Sequence, residues 1–323
     1  MQRVAINGYG NLGRGVEKAL RLAPDLELAV VFTRRDPQSV KTLGAPVASV
    51  DEMPDYVDDI DVCINCGGSA TDLMEQGVAT SQWFHTVDSF DTHARIPEYF
   101  SRVEAAAQAA GHCAIISCGW DPGLFSMLRV LGDAVLPQGR TTTFWGRGVS
   151  QGHSDAIRRL DGVVDARQYT VPVPDTVAAV QAGRDGELSA RQMHTRECFV
   201  VAAPGADTAR IEAEIKAMPN YFADYDTTVT FITAAEMAQN HSGMPHAGQV
   251  IRTGATSPQV RQSLTFNLEL DSNPEFTGSV LVAAARACAR KAARGETGAF
   301  TMLDVTLSEL SPRDPEQLRR EML

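Results

Sequence analysis

The chain has 323 residues, enough for two domains, and its 44% hydrophobic and 21% charged residues are typical of an ordinary globular protein. Its formal net charge of −11 argues against a general nucleic-acid-binding protein. The sequence contains no run of about eighteen apolar residues and begins directly with a predicted strand, so we expect no membrane span, no signal peptide and a cytoplasmic location.

The first predicted strand, 3–7, leads into a glycine-rich turn and then into a helix predicted over 11–22. A Gly-x-Gly-x-x-Gly motif in this context is typical of dinucleotide-binding domains. Its first glycine permits a tight turn, its second lets the backbone approach the pyrophosphate, and its third lets the helix pack on the strand. The unpaired N–H groups at the start of the helix then face the phosphates. We therefore predict cofactor contacts from Gly8, Tyr9, Gly10, Asn11, Leu12 and Gly13.

The second predicted strand, 27–32, ends in Thr33, Arg34 and Arg35. NAD-binding domains usually carry an Asp or Glu at this position, where it accepts hydrogen bonds from the ribose 2′-hydroxyl. Two guanidinium groups and a hydroxyl would instead hold a 2′-phosphate through charge-assisted bonds. The three residues therefore predict NADP rather than NAD as the cofactor, and a solvated loop is the alternative interpretation.

The alternation of strands and helices continues through the first hundred or so residues. A glycine-rich turn, 66–72, follows the third strand at its carboxyl end, where open α/β sheets bind their ligands. The pattern predicts an α/β fold with a Rossmann-type doubly wound parallel sheet. The remaining predicted strands of this part are 60–66, 83–87 and 113–117, and its helices are 71–80 and 98–110.

After residue 123 the pattern changes to strand-like runs separated by long loops and few helices. This predicts a second α+β domain with a mostly antiparallel sheet. We assign residues 1–118 to the dinucleotide-binding domain, with about 300–323 packing back on it, and 119–299 to the second domain. The predicted elements are a helix at 124–136, strands at 141–146, 166–171, 194–202, 226–232, 248–254 and 263–270, a helix at 276–294, a strand from 298, and a helix at 315–323.

The six cysteines are interpreted as small buried hydrophobic residues, because most of them lie in apolar strand-like segments. Cys63 and Cys66 have the spacing of a redox motif but lie within a predicted strand. His241 and His246 lack the spacing of a zinc site. We therefore predict no metal.

Several segments together resemble the meso-diaminopimelate dehydrogenase family along essentially the whole chain. The resemblance implies a homodimer that uses NADP for the reversible oxidative deamination of meso-2,6-diaminopimelate at its D-configured carbon, in lysine biosynthesis. The product would be L-2-amino-6-oxopimelate, which cyclises to tetrahydrodipicolinate. The second domain would then bind substrate and form the dimer. The segments are 8–13, 32–35, 68–72, 86–91, 119–123, 144–146, 150–155, 243–246 and 270–274.

The resemblance also implies roles for matching residues. Asp91 and Asp121 match the acids beside the D-amino group, and Phe90 and Gly67 depart from the family pattern, which has a tyrosine and a larger residue there. The walls and amide contacts at the reacting end would be Trp120, Trp145, Gln151 and Gly152, and the distal L-amino acid end would be held by Thr170, Arg196, His246 and Asn273. Further cofactor contacts are expected from Cys66, Gly67, Gly68, Ser69, Ala70, Thr71, Asp88 and Ser89.

The chemistry of such a substrate fits these residue types. It carries two ammonium groups and two carboxylates, which need partners of both signs in a desolvated site. Asp88 and other acids would supply negative charge, and Arg196 a clamp for a carboxylate. Loss of hydride requires a neutral amine, so Asp91 or Asp121 would accept its proton, directly or through water.

Each of these side chains also has a structural interpretation. Asp121 could cap the following helix, Asp88 and Asp91 could be turn acids, and Arg196 could form a surface ion pair with its neighbour Glu197. His153 is either a general base or a hydrogen-bonded loop histidine, and the two tryptophans could be plain core.

Two other functions are compatible with a dinucleotide-binding domain. One is a reductase of another small imino or sugar substrate, and the other is a non-enzymatic NADP sensor. Sugar reductases of this plan often use a catalytic lysine in the second half, where this chain has Lys216 and Lys291, neither in a site-like loop. A sensor would not need a second domain rich in partners for carboxylate and ammonium groups.

Overall fold

The structure is a computed structural model that describes residues 1–184 and 186–323. It divides into two units, the first formed by Met1–Met127 with Pro274–Leu323 and the second by Leu128–Asn273. The strands are β1 (Gln2–Asn7), β2 (Leu26–Thr33), β3 (Val47–Ser49), β4 (Val62–Asn65), β5 (His85–Asp88), β6 (Cys113–Ile116), β7 (Gly139–Gly146), β8 (Gly148–Val149), β9 (Val163–Pro172), β10 (His194–Ala202), β11 (Asp226–Phe231), β12 (His246–Ser257), β13 (Val260–Leu270) and β14 (Gly298–Thr301). The helices are α1 (Asn11–Leu20), α2 (Leu73–Thr80), α3 (Ile96–Ala110), α4 (Phe125–Val135), α5 (Gln151–Arg158), α6 (Pro174–Gln181), α7 (Ala190–Met193), α8 (Thr208–Ala217), α9 (Ala234–Asn240), α10 (Asn273–Ala293), α11 (Leu307–Leu310) and α12 (Pro315–Met322).

The sheet of the first unit is parallel, with the strand order β14-β6-β5-β4-β1-β2-β3. Every residue of β4 and β6 is buried, as expected for strands covered on both faces. From β1 the chain continues to β2, toward one edge of the sheet, and from β4 it continues to β5, toward the opposite edge. The strand order therefore reverses between β1 and β4. Such a switch point leaves a crevice at the carboxyl ends of the strands. The predicted Rossmann-type doubly wound sheet is confirmed.

Helix α10 belongs to the first unit, whereas the sequence analysis placed its residues in the second domain. Val280, Leu281 and Cys288 on this helix join the core cluster that surrounds β1. Close packing on α1 is possible because Gly15 has no side chain; a Cβ there would lie 2.3 Å from the carbonyl oxygen of Pro274. The closing strand β14 then pairs with β6 at the edge of the parallel sheet.

The second unit contains two small sheets. Strands β13, β12 and β7 form an antiparallel sheet, and β11, β10, β9 and β8 form the other, in which β10 and β11 run parallel. The prediction of a mostly antiparallel second domain is therefore confirmed. The expectation of few helices was wrong for this unit, because α5 to α9 connect its strands.

The six cysteines are all buried and unpaired. Among the described residues, no helix is long and apolar enough to cross a membrane. The same part of the chain holds no group of three or more His, Cys, Asp or Glu side chains placed to bind a metal ion.

Candidate active site

The glycine-rich turn between β1 and α1 has the shape of a phosphate cradle. Gly8 adopts a φ of +102°, which side chains other than hydrogen rarely allow. A Cβ on Gly13 would lie 2.3 Å from the carbonyl oxygen of Gly8, so the helix can approach the turn only with glycine there. Gly10 precedes α1 in an extended conformation without a side-chain cap, and a Cβ on it would meet no described atom within 4 Å. The start of α1 therefore has no side-chain cap and has open space beside Gly10, as the approach of an anion requires.

Both arginines after β2 reach toward neighbouring turns. The Nη2 atom of Arg35 donates to the carbonyl oxygen of Tyr9 at 2.9 Å, and the backbone N–H of Arg35 donates to Oγ1 of Thr33 at 3.1 Å. The Nη2 atom of Arg34 lies 2.7 Å from Oδ1 of Asp72, and 74% of its side chain is exposed. The Arg34 side chain is thus largely exposed, with one guanidinium nitrogen paired with Asp72.

Asp72 is a residue that the sequence analysis missed as a partner of this site. Its carboxylate accepts hydrogen bonds from the backbone of Gly68, from the Thr71 hydroxyl and from Arg34. Burial acts to raise the pKa of Asp72, but these three donors outweigh burial and lower the pKa. The signal was present in the sequence, since Asp72 closes the same glycine-rich segment that begins at Gly68.

The turn after β4 contacts the turn after β5 through Ser69. Its Oγ accepts a hydrogen bond from the backbone N–H of Asp91 at 2.9 Å and lies 3.5 Å from the carbonyl oxygen of Ser89. The structure therefore brings three predicted site residues together at one edge of the parallel sheet. The other predicted cofactor contacts of this region, Cys66, Gly67, Gly68, Ala70 and Thr71, lie in the same turn after β4.

Gly67 has a packing reason to be glycine, where the family pattern led us to expect a larger residue. Its backbone N–H donates to Oε1 of Gln76 at 3.0 Å. A Cβ on Gly67 would lie 2.3 Å from that same oxygen. The other departure, Phe90, is buried and packs against the ring of Tyr99 with 4.3 Å between ring centres.

Asp88 was expected to contact both substrate and cofactor, but the residue is only 1% exposed. Its carboxylate bonds to groups within the protein, and burial raises the pKa of Asp88 to about 6. Trp120 is also buried and packs edge-on against Phe125, with 5.4 Å between ring centres. Asp91 is exposed, and Asp121 is half-buried directly after Trp120.

In the second unit, Arg196 carries a positive charge that is only 8% exposed. Its Nη1 atom donates to the Thr170 hydroxyl, and its guanidinium carbon lies 3.9 Å from the centre of the Tyr225 ring. Burial lowers the pKa of Arg196. The alternative of a surface pair with Glu197 is wrong, because Glu197 pairs with Arg147. Among the described residues, no carboxylate forms a salt bridge with Arg196, which leaves its charge for a ligand.

His246 extends the same row of side chains. Its ring packs against the backbone of Gly148, a residue of the other sheet that pairs in register with Thr170. A Cβ on Gly148 would lie 2.5 Å from the His246 ring, so glycine is what admits the ring at this place. Burial lowers the pKa of His246. Thr170, Arg196 and His246, all assigned to the distal end of the substrate, thus belong to one cluster.

His153 lies beside this cluster rather than in an open loop. Its Nδ1 atom is 2.7 Å from Oγ of Ser150, and its ring packs edge-on against Phe222 with 5.6 Å between ring centres. Burial, and secondarily the charge of Arg196, lower the pKa of His153 to about 4. The imidazole is therefore neutral near pH 7 but only weakly basic, and its Nδ1 atom is engaged with Ser150, which together favour the hydrogen-bonded histidine over the general base.

Met244 connects two other predicted substrate contacts. Its sulfur lies 3.1 Å from Nε2 of Gln151, and its carbonyl oxygen accepts from the backbone N–H of Asn273 at 2.9 Å. A Cβ on Gly152, the residue after Gln151, would meet no described atom within 4 Å. These residues form the part of the second unit assigned to amide contacts with the substrate.

His194 supports Trp145 and was not anticipated. The backbone N–H of Trp145 donates to Nε2 of His194 at 3.0 Å, and the two rings lie 5.6 Å apart. Burial first, and then Arg196, lower the pKa of His194 to about 4, so it is a neutral acceptor. The strand alternation of 194, 196 and 198 was the signal that could have placed His194 on the buried face.

Comparisons with known proteins show the family of the chain. Residues 119–272 match the family model described as diaminopimelic acid dehydrogenase C-terminal domain. The meso-diaminopimelate D-dehydrogenase of Ureibacillus thermosphaericus is 58% identical over 322 residues, which is 99% of each chain. The structure of C. glutamicum DAP dehydrogenase in complex with DAP is 45% identical with a TM-score of 0.91, over 100% of this chain and 99% of that one. An engineered D-amino acid dehydrogenase bound to NADP⁺ is 43% identical with a TM-score of 0.86, over the same shares.

Proposed function

The chain belongs to the meso-diaminopimelate D-dehydrogenase family, and we propose that it catalyses the reversible NADP-dependent oxidative deamination of meso-2,6-diaminopimelate. The reaction takes place at the D-centre and yields ammonia and L-2-amino-6-oxopimelate, the precursor of tetrahydrodipicolinate in lysine biosynthesis. The observation that carries the proposal is the buried positive charge of Arg196, whose partners among the described residues are the neutral side chains of Thr170 and Tyr225.

The residues of the first unit fit NADP. The start of α1 at Gly10 would take the pyrophosphate, since it has no side-chain cap and has open space beside Gly10. Thr33, Arg34 and Arg35 would hold the 2′-phosphate, and 74% of the Arg34 side chain is exposed. When bound, NADP accepts the hydride from the D-carbon.

Asp91 and Asp121 are the acids proposed for the reacting amine. The amine must be neutral before hydride can leave, and a carboxylate can accept its proton directly or through one water molecule. The backbone of Asp91 is held by Ser69, and Asp121 follows the buried ring of Trp120. The chain's part in the reaction is to orient the amine, take its proton and provide the electrostatic environment.

The distal half of the substrate is assigned to the cluster of the second unit. Arg196 would clamp the distal carboxylate, while Thr170 and His246 supply neutral hydrogen-bonding groups beside it. Asn273 would join this distal set, while Gln151 and Gly152 would provide amide and backbone contacts at the reacting end. Trp145, with 39% of its surface exposed, is free to form a wall of the site.

The lysines of the second half do not support a sugar reductase. Lys216 pairs with Glu212 one turn away on the surface of α8. Lys291 is buried and pairs with Glu296 at 2.8 Å. Neither amine lies among the site residues of its own unit.

We propose that the enzyme acts in the cytoplasm as a homodimer. Support for the dimer comes from the family resemblance and from exposed apolar side chains along α4, namely Val130, Leu131 and Val135. Light scattering coupled to size-exclusion chromatography should give twice the chain mass, and a Leu131→Asp, Val135→Asp variant should shift toward the monomer. A monomeric wild-type protein would remove the dimer proposal.

The activity is tested by following reduced nicotinamide absorbance with purified protein. We expect absorbance to rise with NADP and meso-diaminopimelate, and to rise far less with NAD, with the LL isomer or with sugars. Equal rates with sugars would favour the reductase alternative. Binding of NADP without turnover of any of these compounds would favour the sensor.

A further inference from the structure

Asp88 stands at the carboxyl end of β5 and uses both carboxylate oxygens inside the protein. Its Oδ2 accepts from the Tyr99 hydroxyl at 2.6 Å. Its Oδ1 accepts from the backbone N–H of Phe90 at 2.9 Å and of Ser117 at 3.2 Å. Because the residue is 1% exposed, the carboxylate has no surface from which to contact a ligand directly.

The bonds of Asp88 lead to the turn after β6. The Asp88 carboxylate contacts Ser117, and the backbone carbonyl oxygen of Asp88 accepts from the backbone N–H of Cys118 at 2.7 Å. Ser117 has a φ of +57°, a left-handed conformation that non-glycine residues seldom adopt without support. Trp120 and Asp121 follow three and four residues later. The hydrogen bonds of Asp88 therefore hold the turn from which both side chains start.

The same carboxylate also fixes the turn after β5. The bond to the Phe90 N–H closes a tight turn that contains Ser89, and Asp91 comes next. Tyr99, the third partner, comes from α3 and packs its ring on Phe90. One buried group thus ties together the turn of Asp91 and the turn of Asp121.

We infer that Asp88 is a positioning residue for the proposed reaction, because its buried carboxylate couples the turn that carries Asp91 to the turn that carries Asp121. The inference rests on the proposed function, in which these two acids flank the reacting amine. It replaces the expectation that Asp88 itself binds substrate or cofactor.

The surroundings of Asp88 are neutral, which makes its hydrogen bonds essential. The titratable groups that face it are Tyr99 and the thiols of Cys66 and Cys118, and burial raises the pKa of each. A buried carboxylate without a cation depends on its donors for stabilisation. Asparagine can still accept from the two backbone N–H groups, whereas alanine leaves both of them unsatisfied.

The test compares three variants: Asp88→Ala, Asp88→Asn and the double variant that carries both Asp88→Ala and Ser117→Gly. Each is assayed with NADP and meso-diaminopimelate. We expect alanine to lower kcat about 10- to 100-fold while both KM values stay within about threefold of wild type. Asparagine should retain most of the activity. Glycine at 117 adopts the left-handed conformation unaided, so it should restore part of the kcat of the alanine variant. Asp304→Ala is the matched control, since the Asp304 carboxylate accepts from the backbone N–H of Thr301 at the end of β14, outside both turns.

Several outcomes would overturn the inference. A raised KM with unchanged kcat would assign Asp88 to direct binding. A lowered melting temperature with normal kcat, or no rescue by Ser117→Gly, would mean that Asp88 has only a structural role. If Asp88→Ala does not fold, Tyr99→Phe removes one bond to the carboxylate and should lower kcat by a smaller factor, and an unchanged kcat there contradicts the inference.

A second measurement separates this inference from the proposed function. Hydrogen exchange of the Phe90, Ser117 and Cys118 amides is measured on the free protein, without any substrate. In Asp88→Ala the Phe90 and Ser117 amides should lose protection, because they donate to the carboxylate. The Cys118 amide donates to the backbone carbonyl of residue 88 and should keep most of its protection. All three amides should remain as in wild type in Asp304→Ala. Unchanged protection of the Phe90 and Ser117 amides would refute the coupling even in an active enzyme, and an inactive wild type would refute the function without affecting this result.

Discussion

The guanidinium carbon of Arg196 lies 3.9 Å from the centre of the Tyr225 ring, so the face of the ring covers a buried charge. Thr170 accepts from the Nη1 atom, and the Nε atom has no partner among the described residues. The charge is therefore oriented by neutral groups that do not neutralise it. A site of this kind retains most of its attraction for an incoming carboxylate.

Replacement of Tyr225 should weaken substrate binding without affecting the cofactor. A desolvated cation–π contact contributes about 2 kcal/mol, so Tyr225→Leu should raise the KM for meso-diaminopimelate about 10- to 30-fold. Tyr225→Phe keeps the ring and serves as the control, with an increase of less than about threefold expected. Steady-state kinetics with both substrates varied would check this. Equal effects of the two variants, or a changed KM for NADP, would contradict the stacking role.

The second and third glycines of the turn before α1 should respond differently to alanine. A Cβ on Gly13 would overlap the carbonyl oxygen of Gly8 at 2.3 Å, so Gly13→Ala should destabilise the protein by about 1–3 kcal/mol. A Cβ on Gly10 meets nothing within 4 Å, so Gly10→Ala should cost less than about 1 kcal/mol but block the close approach of the pyrophosphate. Urea unfolding and NADP titration measured on both variants distinguish the two effects. A stable Gly13→Ala protein, or normal NADP binding by Gly10→Ala, would contradict this division.

The arginines after β2 should decide the choice of cofactor. Arg34 is 74% exposed and contributes to a 2′-phosphate through charge-assisted bonds worth about 1.5–3 kcal/mol, so Arg34→Ala should raise the KM for NADP about 10- to 100-fold. The KM for NAD should change little, because NAD lacks the phosphate. Arg35→Ala additionally removes the bond to the Tyr9 carbonyl and should show a larger loss. A double variant that keeps its preference for NADP would place the phosphate elsewhere.

Much of the fold could be predicted because the signals are local. Residues 62–64 are a continuous apolar run, and the glycine motif lies between a strand and a helix, so both the parallel sheet and the phosphate turn followed from the sequence. Of the missed helices of the second unit, α7 and α9 are only 4 and 7 residues long, too short for a periodic pattern. The placement of α10 depended on long-range packing against α1, which no local pattern encodes.

The orientation of side chains was harder to predict than their position. Asp88 was correctly placed at a strand end, but its inward orientation depends on Tyr99, a residue of a different helix. The inward orientation of Arg196 was easier to predict, because Arg196 shares its strand face with the apolar Cys198 and Val200 while Glu197 lies on the other face. Alternation along β10 therefore contained the information that separates a buried charge from a surface ion pair.

His153 should make the stability of the protein depend on pH in a defined window. Burial holds its pKa in the folded state at about 4, whereas the ordinary value is 6.5. Between these values the unfolded chain takes up a proton that the folded chain does not, so this residue's contribution is complete above about pH 6.5 and is lost as the pH falls toward 4. A difference of this size corresponds to about 3 kcal/mol.

We expect the free energy of unfolding of the wild type, measured in urea, to fall relative to that of His153→Gln by roughly this amount between pH 7 and pH 4.5. His93→Gln, which removes an exposed histidine, is the control for loss of an imidazole as such. Parallel pH profiles for the wild type and His153→Gln would mean that His153 is not buried in a neutral form beside Arg196.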